Sequence, residues 1–396
     1  MDNRILFGAD RLINDLPAEV RKGKWGMITN DAARLASTPE TRTRKAFLDA
    51  GINLTCLFSP EHGLTAKADD GESIPDGHDT LTELPVYSIY GNTLRPPVKI
   101  LRELDGVIFD LPEVGTRFYT YLWALSHVMD ACEYCDIPLI IPDRPNPLGG
   151  DLAMCEGPIL DTRNCRSYMG RAPLPIRYGL TVGEFARWLK NKWDMNLLLH
   201  VIPVDNWKRS QQWPDTDLKF IPPSPSIHSF ESALCYPGIC FFEATNLSLG
   251  RGTDAPFQQV GSPWLDPVKV LSLLRSFDLP GTEWHKTSFT PEQDLWKGEP
   301  CNGVRLIITD RHAFEPVRTG LTLLAVIRNL YNTRFQWKPY STVSNPSGKN
   351  HFELLVGQYY WRTELEDDPV GFIEELPDRL TVPGWKEEAE PWLLYS

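Results

Sequence analysis

The sequence of 396 residues contains no apolar run of the roughly 20 residues that a membrane-spanning helix requires. Clusters of Lys and Arg are missing too, since 40 basic residues stand against 52 acidic ones and the formal net charge is −12. Nucleic acids and anionic membrane surfaces both bind clustered positive charge, so we expect neither as a partner. The N-terminus lacks the pattern of a secretory signal, and we expect a cytoplasmic location, or a periplasmic one if a leader has been removed.

The motifs of several enzyme classes are absent as well. No βα turn carries GxGxxG, and neither GxxxxGKS nor GxxxxGKT occurs, so no nucleotide cofactor is expected. The absence of GxSxG argues against a serine enzyme of the α/β-hydrolase type. The eight cysteines are too sparse for a disulfide scaffold. Cys132 and Cys135 form a lone CxxC without a nearby His, which favours a buried structural pair over a metal or redox site.

Short apolar runs alternate with helical stretches in the first half of the chain. Strands are predicted at 25–29, 53–58, 106–110, 138–141 and 197–203, and helices at 40–50, 98–104, 117–135 and 181–193. The last helix opens with a capping box formed by Thr181 and Glu184. The strands are almost continuously apolar, as in sheets covered by helices on both faces. This alternation predicts an α/β fold with a doubly wound, Rossmann-like parallel sheet.

A proline-rich stretch at residues 210–230 interrupts this alternation and indicates an extended connector. A second α+β unit follows, with strands predicted at 239–242 and 304–309 and helices at 267–277, 317–332 and 369–376. We therefore predict a Rossmann-like N-terminal domain over 1–230 and a smaller α+β domain over 231–396.

Polar side chains follow four of the predicted strands, at the edge where open parallel sheets bind ligands. They are Asp31 after the first strand, Glu61 and His62 after the second, Asp110 and Glu113 after the third, and Asp143, Arg144 and Asn146 after the fourth. A single Asp31 or Asp143 is equally well explained as a helix cap. The coincidence at four strand ends indicates a site.

The loop Pro60-Glu61-His62-Gly63 is the most distinctive local feature. Pro60 stiffens the exit from the strand and Gly63 permits a tight turn, so Glu61 would be held rigidly at the sheet edge. A carboxyl group held there can serve as a general acid, with His62 orienting it or sharing its proton. The alternative is a turn with an exposed Glu–His pair. A metal site pooling His62 with the acidic stretch 69–79 lacks dedicated ligand spacing, and a solvated acidic loop over the cleft is favoured instead.

Two further segments carry candidate binding residues. Arg117 is placed to bind a carboxylate bidentately and Tyr119 to stack on or hydrogen-bond a ligand, although Arg117 paired structurally with a nearby acid is an equal alternative. In the second domain, a polar, glycine-rich stretch follows a predicted strand and indicates a ligand-facing loop. Its candidate residues are Glu243, Asn246, Arg251 and Thr253.

Taken together, these motifs resemble the NamZ-type exo-β-N-acetylmuramidases, a glycoside hydrolase family long known only as a domain of unknown function. The matching segments are 58–63 (FSPEHG), 114–121 (VGTRFYTY), 143–147 (DRPNP), 156–158 (EGP), 222–225 (PPSP), 236–238 (YPG) and 243–257 (EATNLSLGRGTDAPF). Two positions differ from the family pattern, because Glu113 stands where an Asp is usual and Tyr178 where a His is common.

The resemblance implies a Rossmann-like domain, a smaller α+β domain that closes the active-site cleft, and no cofactor. It also implies release of N-acetylmuramic acid from the non-reducing end of peptidoglycan fragments, with Glu61 as the catalytic glutamate. The second carboxylate of such an enzyme is left open among Asp110, Glu113, Asp143, Glu243 and the acetamido group of the substrate.

The residue that binds the lactyl carboxylate of muramic acid is open among Arg117, Arg144 and Arg251. A non-catalytic sugar-binding protein and a metal-dependent hydrolase are the alternative functions.

Overall fold

The computed structural model describes residues 4–396, and a seven-stranded sheet organises the first part of that range. The strands are β1 (Trp25–Thr29), β2 (Leu54–Ser59), β3 (Gly77–His78), β4 (Pro85–Ser88), β5 (Gly106–Asp110), β6 (Leu139–Pro142) and β7 (Leu199–Ile202). Their order is β3-β4-β2-β1-β5-β6-β7, and every neighbouring pair is parallel except β3 with β4. The predicted doubly wound parallel sheet is thus confirmed, with one short antiparallel strand at its edge.

Helices cover both faces of this sheet. They are α1 (Gly8–Asn14), α2 (Ala18–Lys22), α3 (Thr43–Asp49), α4 (Val98–Leu101), α5 (Thr120–Cys135) and α6 (Val182–Lys192). Successive strand residues point to opposite faces, so Ile108 packs in one buried cluster with α1 and α3 while Val107 and Phe109 pack in another with α5 and α6. Burial on both faces explains why the strands are almost wholly apolar.

The five predicted strands of this domain match observed strands to within two residues at each end. The capping box of α6 is also confirmed, because the Glu184 N–H donates to the Thr181 hydroxyl at 3.2 Å and the Thr181 N–H donates to the Glu184 carboxylate at 3.0 Å. The edge strand β3 and its neighbour β4 are not predicted from the sequence, since neither contains a run of apolar residues.

The second domain contains a three-stranded antiparallel sheet of order β8-β10-β9. Its strands are β8 (Gln259–Ser262), β9 (Thr282–Phe289) and β10 (Cys301–Ile308). The helices are α7 (Phe230–Ile239), α8 (Pro267–Leu274), α9 (Pro316–Leu330), α10 (His351–Val356), α11 (Trp361–Asp367), α12 (Pro369–Arg379) and α13 (Trp385–Ala389). The predicted strand at 304–309 and the three predicted helices correspond to β10, α8, α9 and α12.

The strand predicted at 239–242 is wrong. Ile239 ends α7, and a 3₁₀ turn over Cys240–Ala244 follows it directly. Ile239, Cys240, Phe241 and Phe242 are each at most 2% exposed. A short apolar run that is buried on all sides has no periodicity by which a strand can be told from a helix.

One buried hydrophobic cluster runs through both domains and joins α5 and α6 to α7, α9, α10 and α12. The last residues of the chain return to the first domain, where the Tyr395 hydroxyl donates to Asp143 at 2.5 Å. No helix within residues 4–396 has the length and apolar character needed to cross a membrane.

Candidate functional site

A cleft lies between the two domains, at the carboxyl end of β2 and the start of α5. Its wall in the first domain includes Glu61, His62, Asp70, Tyr90, Tyr119 and Thr120. Its wall in the second domain includes Tyr236, Glu243, Arg251, Phe257, Tyr340 and His351, and the connector contributes Ser224 and Ser226. Five of the residues predicted from the sequence therefore come together here: Glu61, His62, Tyr119, Glu243 and Arg251.

Glu61 is 7% exposed and both of its carboxylate oxygens accept a hydrogen bond. The Gly71 N–H donates to Oε1 at 2.8 Å, and the Thr120 hydroxyl donates to Oε2 at 2.5 Å. Thr120 is the first residue of α5, so the helix start and the end of β2 together fix the side chain. Glu61 is thus held in one orientation at the cleft wall.

His62 has a left-handed backbone with φ of 65°, which turns the chain sharply after Glu61. Its ring Nδ1 lies 2.9 Å from the Ala68 carbonyl oxygen. Because a carbonyl only accepts, Nδ1 carries the hydrogen, and the neutral ring then holds its lone pair at Nε2. His62 therefore has one ring nitrogen available to accept a proton.

Arg251, on the opposite wall, contacts two carboxylates. Its Nη1 lies 3.0 Å from Asp70 Oδ1, and its Nη2 donates to the Glu243 carboxylate. Glu243 also contacts His351, with 3.0 Å between Oε2 and Nε2. Burial opposes the charge of Arg251, but Asp70, Tyr340 and Glu243 outweigh it and hold its pKa well above the ordinary value.

The tyrosines of the cleft are neutral hydrogen-bonding groups. Burial raises the pKa of Tyr90 and of Tyr119 far above the ordinary value. The buried Tyr119 hydroxyl lies beside the hydroxyl groups of Tyr121 and Ser224. A buried hydroxyl of this kind offers both a donor and an acceptor to a polar ligand.

Three residues predicted for the site line other parts of the first domain. Asp110 and Arg144 form a buried ion pair with 2.6 Å between Oδ1 and Nε. Glu113 accepts from the two backbone N–H groups that follow it, and burial raises its pKa to about 8. Arg144 and Glu113 border a separate, largely apolar cavity that also contains Trp213.

Asp143 and Asn146 stabilise backbone rather than facing the cleft. Asp143 accepts from the Thr181 hydroxyl at 2.6 Å and from the Gly183 N–H at 2.8 Å, at the start of α6. Burial raises the pKa of Asp143 to about 6. Asn146 donates to the Leu180 carbonyl at 2.9 Å. The helix-cap alternative thus describes the position of Asp143.

Asp31 and Arg117 also lie outside the cleft. Asp31 pairs with Arg42 and Arg44, each at 2.7 Å. Arg117 is fully buried and donates to three backbone carbonyl groups at 2.6–3.1 Å, and no carboxylate pairs with it among the described residues. Burial lowers the pKa of Arg117 to about 9. Its position matches neither the ligand-binding nor the acid-paired interpretation.

Asn246 and Thr253 hold the loop that carries Arg251. Asn246 donates to the Arg334 carbonyl at 2.8 Å, and Thr253 donates through its hydroxyl to the Gly250 carbonyl at 2.6 Å. Neither side chain lines the cleft. Their contribution to the site is the conformation of the loop.

The cleft also contains residues that the sequence did not single out, namely Asp70, Thr120, Tyr340 and His351. Asp70 lies in the acidic stretch expected to be a solvated loop over the cleft. Tyr340 and His351 come from a segment without a motif, so only the tertiary contact reveals them. Within residues 4–396, no group of three or more His, Cys, Asp or Glu side chains is arranged to hold a metal ion.

Comparison with known proteins gives matches over nearly the whole chain. A family described as "Exo-beta-N-acetylmuramidase NamZ, N-terminal" matches residues 25–231, and one described as "Exo-beta-N-acetylmuramidase NamZ, C-terminal" matches residues 234–395. The peptidoglycan beta-N-acetylmuramidase NamZ of Bacillus subtilis (strain 168) is 36% identical over 364 residues, which cover 92% of this chain and 85% of that protein.

Two crystal structures of DUF1343 family proteins from Bacteroides fragilis NCTC 9343 have the same fold. One, solved at 1.65 Å, has a TM-score of 0.88 and 26% identity, with all of both chains covered. The other, solved at 1.30 Å, has a TM-score of 0.75 and 27% identity, with 99% of each chain covered.

Proposed function

The chain belongs to the NamZ family of exo-β-N-acetylmuramidases, and we propose that it is an exo-acting glycosidase that releases N-acetylmuramic acid, or a related muramyl sugar, from the non-reducing end of peptidoglycan fragments. The observation that carries the proposal is the interdomain cleft, in which Glu61 and His62 lie on one wall and Glu243 and Arg251 on the other. Most glycosidases use a pair of carboxylates that flank the glycosidic bond.

Glu61 is the general acid or acid/base of this proposal. The Gly71 N–H can only donate, so it keeps a proton off Oε1. The Thr120 hydroxyl can donate or accept, so Oε2 can bind a proton without losing its partner. Glu61 can therefore give and take a proton while its position stays fixed. His62, through the lone pair on Nε2, orients Glu61 or shares its proton.

Glu243 is the second carboxylate of the proposal. Of the four candidate carboxylates in the sequence, it is the one that lines the cleft, whereas Asp110, Glu113 and Asp143 are occupied elsewhere. Arg251 and His351 both contact Glu243 and orient it across the cleft from Glu61. Such support from neighbouring groups is typical of a carboxylate that stabilises developing positive charge on a sugar ring.

Arg251 is the candidate partner for the lactyl carboxylate of muramic acid. Arg117 and Arg144 are buried in contacts away from the cleft, while Arg251 lines it. A carboxylate that approaches Arg251 would share it with Asp70 and Glu243. A guanidinium group suits such sharing, because its five N–H donors fan out in one plane.

Steady-state kinetics on a chromogenic N-acetylmuramide test these assignments. We expect Glu61→Gln and Glu243→Gln each to lower kcat by roughly 100-fold or more, since general acid–base groups contribute about that much. Glu72→Gln is the matched control, because this exposed glutamate makes no side-chain hydrogen bond or ion pair within the described residues. Undiminished turnover by Glu61→Gln would remove Glu61 from the mechanism. Tight calorimetric binding of the sugar by the wild type, without product, would instead indicate a binding protein.

A further inference from the structure

Three consecutive residues, Asp69, Asp70 and Gly71, cross the rim of the cleft from the first domain to the second, and we call them the strap. Arg251 Nη1 lies 3.0 Å from Asp70 Oδ1, and the Tyr340 hydroxyl donates to the other Asp70 oxygen. The Val343 N–H donates to the Gly71 carbonyl at 3.1 Å. The strap belongs to the first domain but is held by the second.

Gly71 links the strap to Glu61. Its N–H donates to Glu61 Oε1 at 2.8 Å, so the two sides of this glycine are held by different domains. Its φ of +73° is in the left-handed region, and an added Cβ would lie 2.8 Å from Thr342 Cγ2. The second domain therefore packs directly on the glycine that orients Glu61.

We propose that Asp70 is a positioning residue for the reaction in the cleft. By pairing with Arg251 and Tyr340, Asp70 holds the Gly71 N–H on Glu61. Contact between the domains thereby fixes the orientation of Glu61, the proposed acid/base. The inference rests on the proposed function, because it takes Glu61 as that acid/base. Asp70 acts through Gly71 and makes no contact with Glu61 itself, so its effect is on the geometry and protonation of Glu61.

The charges around Asp70 keep this contact in place. Burial opposes its ionisation, but Arg251 and Tyr340 outweigh burial, with a smaller effect of His62, and hold the pKa of Asp70 below its usual range. Glu243 and Asp294 are the other charged groups beside this pair. Glu243 accepts from Arg251 Nη2, and the Asp294 carboxylate lies 3.8 Å from Arg251 Nε. Asp70 is therefore ionised in the folded protein at neutral pH.

The ionisable groups that face Glu61 are the phenols of Tyr90, Tyr119, Tyr121 and Tyr168, besides its neighbour His62. Burial raises the pKa of every one of these phenols, so none of them loses its proton in the working range. When a carboxylate loses a hydrogen bond that it accepts, the carboxyl group ionises at higher pH, whether the group acts as an acid or as a base. Loss of one hydrogen bond to a charged group shifts the pH at which that group ionises by about one unit.

The test is the pH dependence of kcat and of kcat/KM for Asp70→Asn, with Glu72→Gln as the control. Both variants remove one negative charge from the same loop without changing the side-chain size. We expect Asp70→Asn to move the Glu61-dependent limb of the profile upward by about one pH unit and to lower kcat about tenfold. Tyr340→Phe removes only one hydroxyl and is expected to move the limb in the same direction by less.

Three outcomes would overturn the inference. The first is an Asp70→Asn profile that superimposes on those of the wild type and Glu72→Gln. The second is a lower KM with an unchanged profile, which would show that Asp70 competes with substrate for Arg251. If Asp70→Asn does not fold, an unshifted profile for Tyr340→Phe is the third. Full activity of Glu61→Gln would also overturn the inference, because it removes Glu61 as the acid/base. Absence of N-acetylmuramide hydrolysis by the wild type would refute the proposed function itself, which separates that failure from a failure of the strap.

Discussion

Glu113 provides a test of how burial controls stability, separately from activity. Its carboxylate is buried, accepts two backbone N–H groups at Oε2 and lies beside the phenol of Tyr178. Burial outweighs these hydrogen bonds and raises the pKa of Glu113 to about 8, compared with 4.5 for an ordinary glutamate. The folded protein therefore holds this proton over a pH range in which the unfolded chain has released it.

The sign of the effect follows from that difference in proton binding. Stabilisation by Glu113 is complete below pH 4.5 and is lost as the pH rises through about 8. Over this range one such group makes the free energy of unfolding fall by about 1.4 kcal/mol per pH unit. The Gln side chain keeps an acceptor for the two N–H groups and does not titrate. We expect Glu113→Gln to gain stability relative to the wild type as the pH rises, by at most about 4 kcal/mol between pH 5 and pH 8.

Urea unfolding at half-unit steps from pH 5 to pH 8.5 measures this difference, followed by circular dichroism and tryptophan fluorescence. Asp143 and Glu156 also have pKa values raised by burial, to about 6 and about 7, so the variant retains part of the wild-type pH dependence. The quantity to compare is the difference between the two curves, with Glu72→Gln as a surface control. Curves that stay parallel across the range would refute the assignment of the raised pKa to Glu113.

Two further substitutions test buried contacts, the first between the domains and the second within the second domain. We expect Arg117→Leu to lower the free energy of unfolding by about 3 kcal/mol, because it leaves three buried carbonyl groups without a donor. Urea unfolding measures this change, and a decrease in the free energy of unfolding below about 1 kcal/mol would contradict the reasoning. Gly320→Ala places a Cβ 2.2 Å from the Gly238 carbonyl oxygen, where α9 crosses α7. We therefore expect a lower melting temperature and a decrease of more than about 2 kcal/mol in the free energy of unfolding. The exposed Ser276→Ala is a control for general effects of adding or removing surface groups.

The strand ends show how far sequence reasoning reaches. Parallel strands bring their carboxyl ends to one edge, and this rule correctly located Glu61 and His62 at a cleft. The same rule placed Asp110 and Asp143 there, but each has a local partner that turns it away: Arg144 for Asp110 and the start of α6 for Asp143. Strand position is encoded locally, whereas the direction of a side chain depends on partners distant in sequence.

The second domain was harder to predict for the same reason. Glu243 and Arg251 are in a polar, glycine-rich segment whose composition indicates a loop, although the strand predicted just before it is a helix end and a 3₁₀ turn. Tyr340 and His351 reach the cleft from a segment with no motif or periodicity. Their role depends on contacts to Asp70 and Glu243, which lie about 100 or more residues earlier in the chain.

What distinguishes Glu61 from Asp31 and Asp110 near the sheet edge is the kind of partner it has. Asp31 and Asp110 are paired with arginine guanidinium groups, which can only donate hydrogen bonds. Glu61 is held instead by a backbone N–H and a hydroxyl, and the hydroxyl can accept as readily as it donates. A group that must exchange a proton during each turnover needs partners that tolerate both states. Compared with Asp31 and Asp110, Glu61 meets this requirement and is therefore favoured for proton transfer.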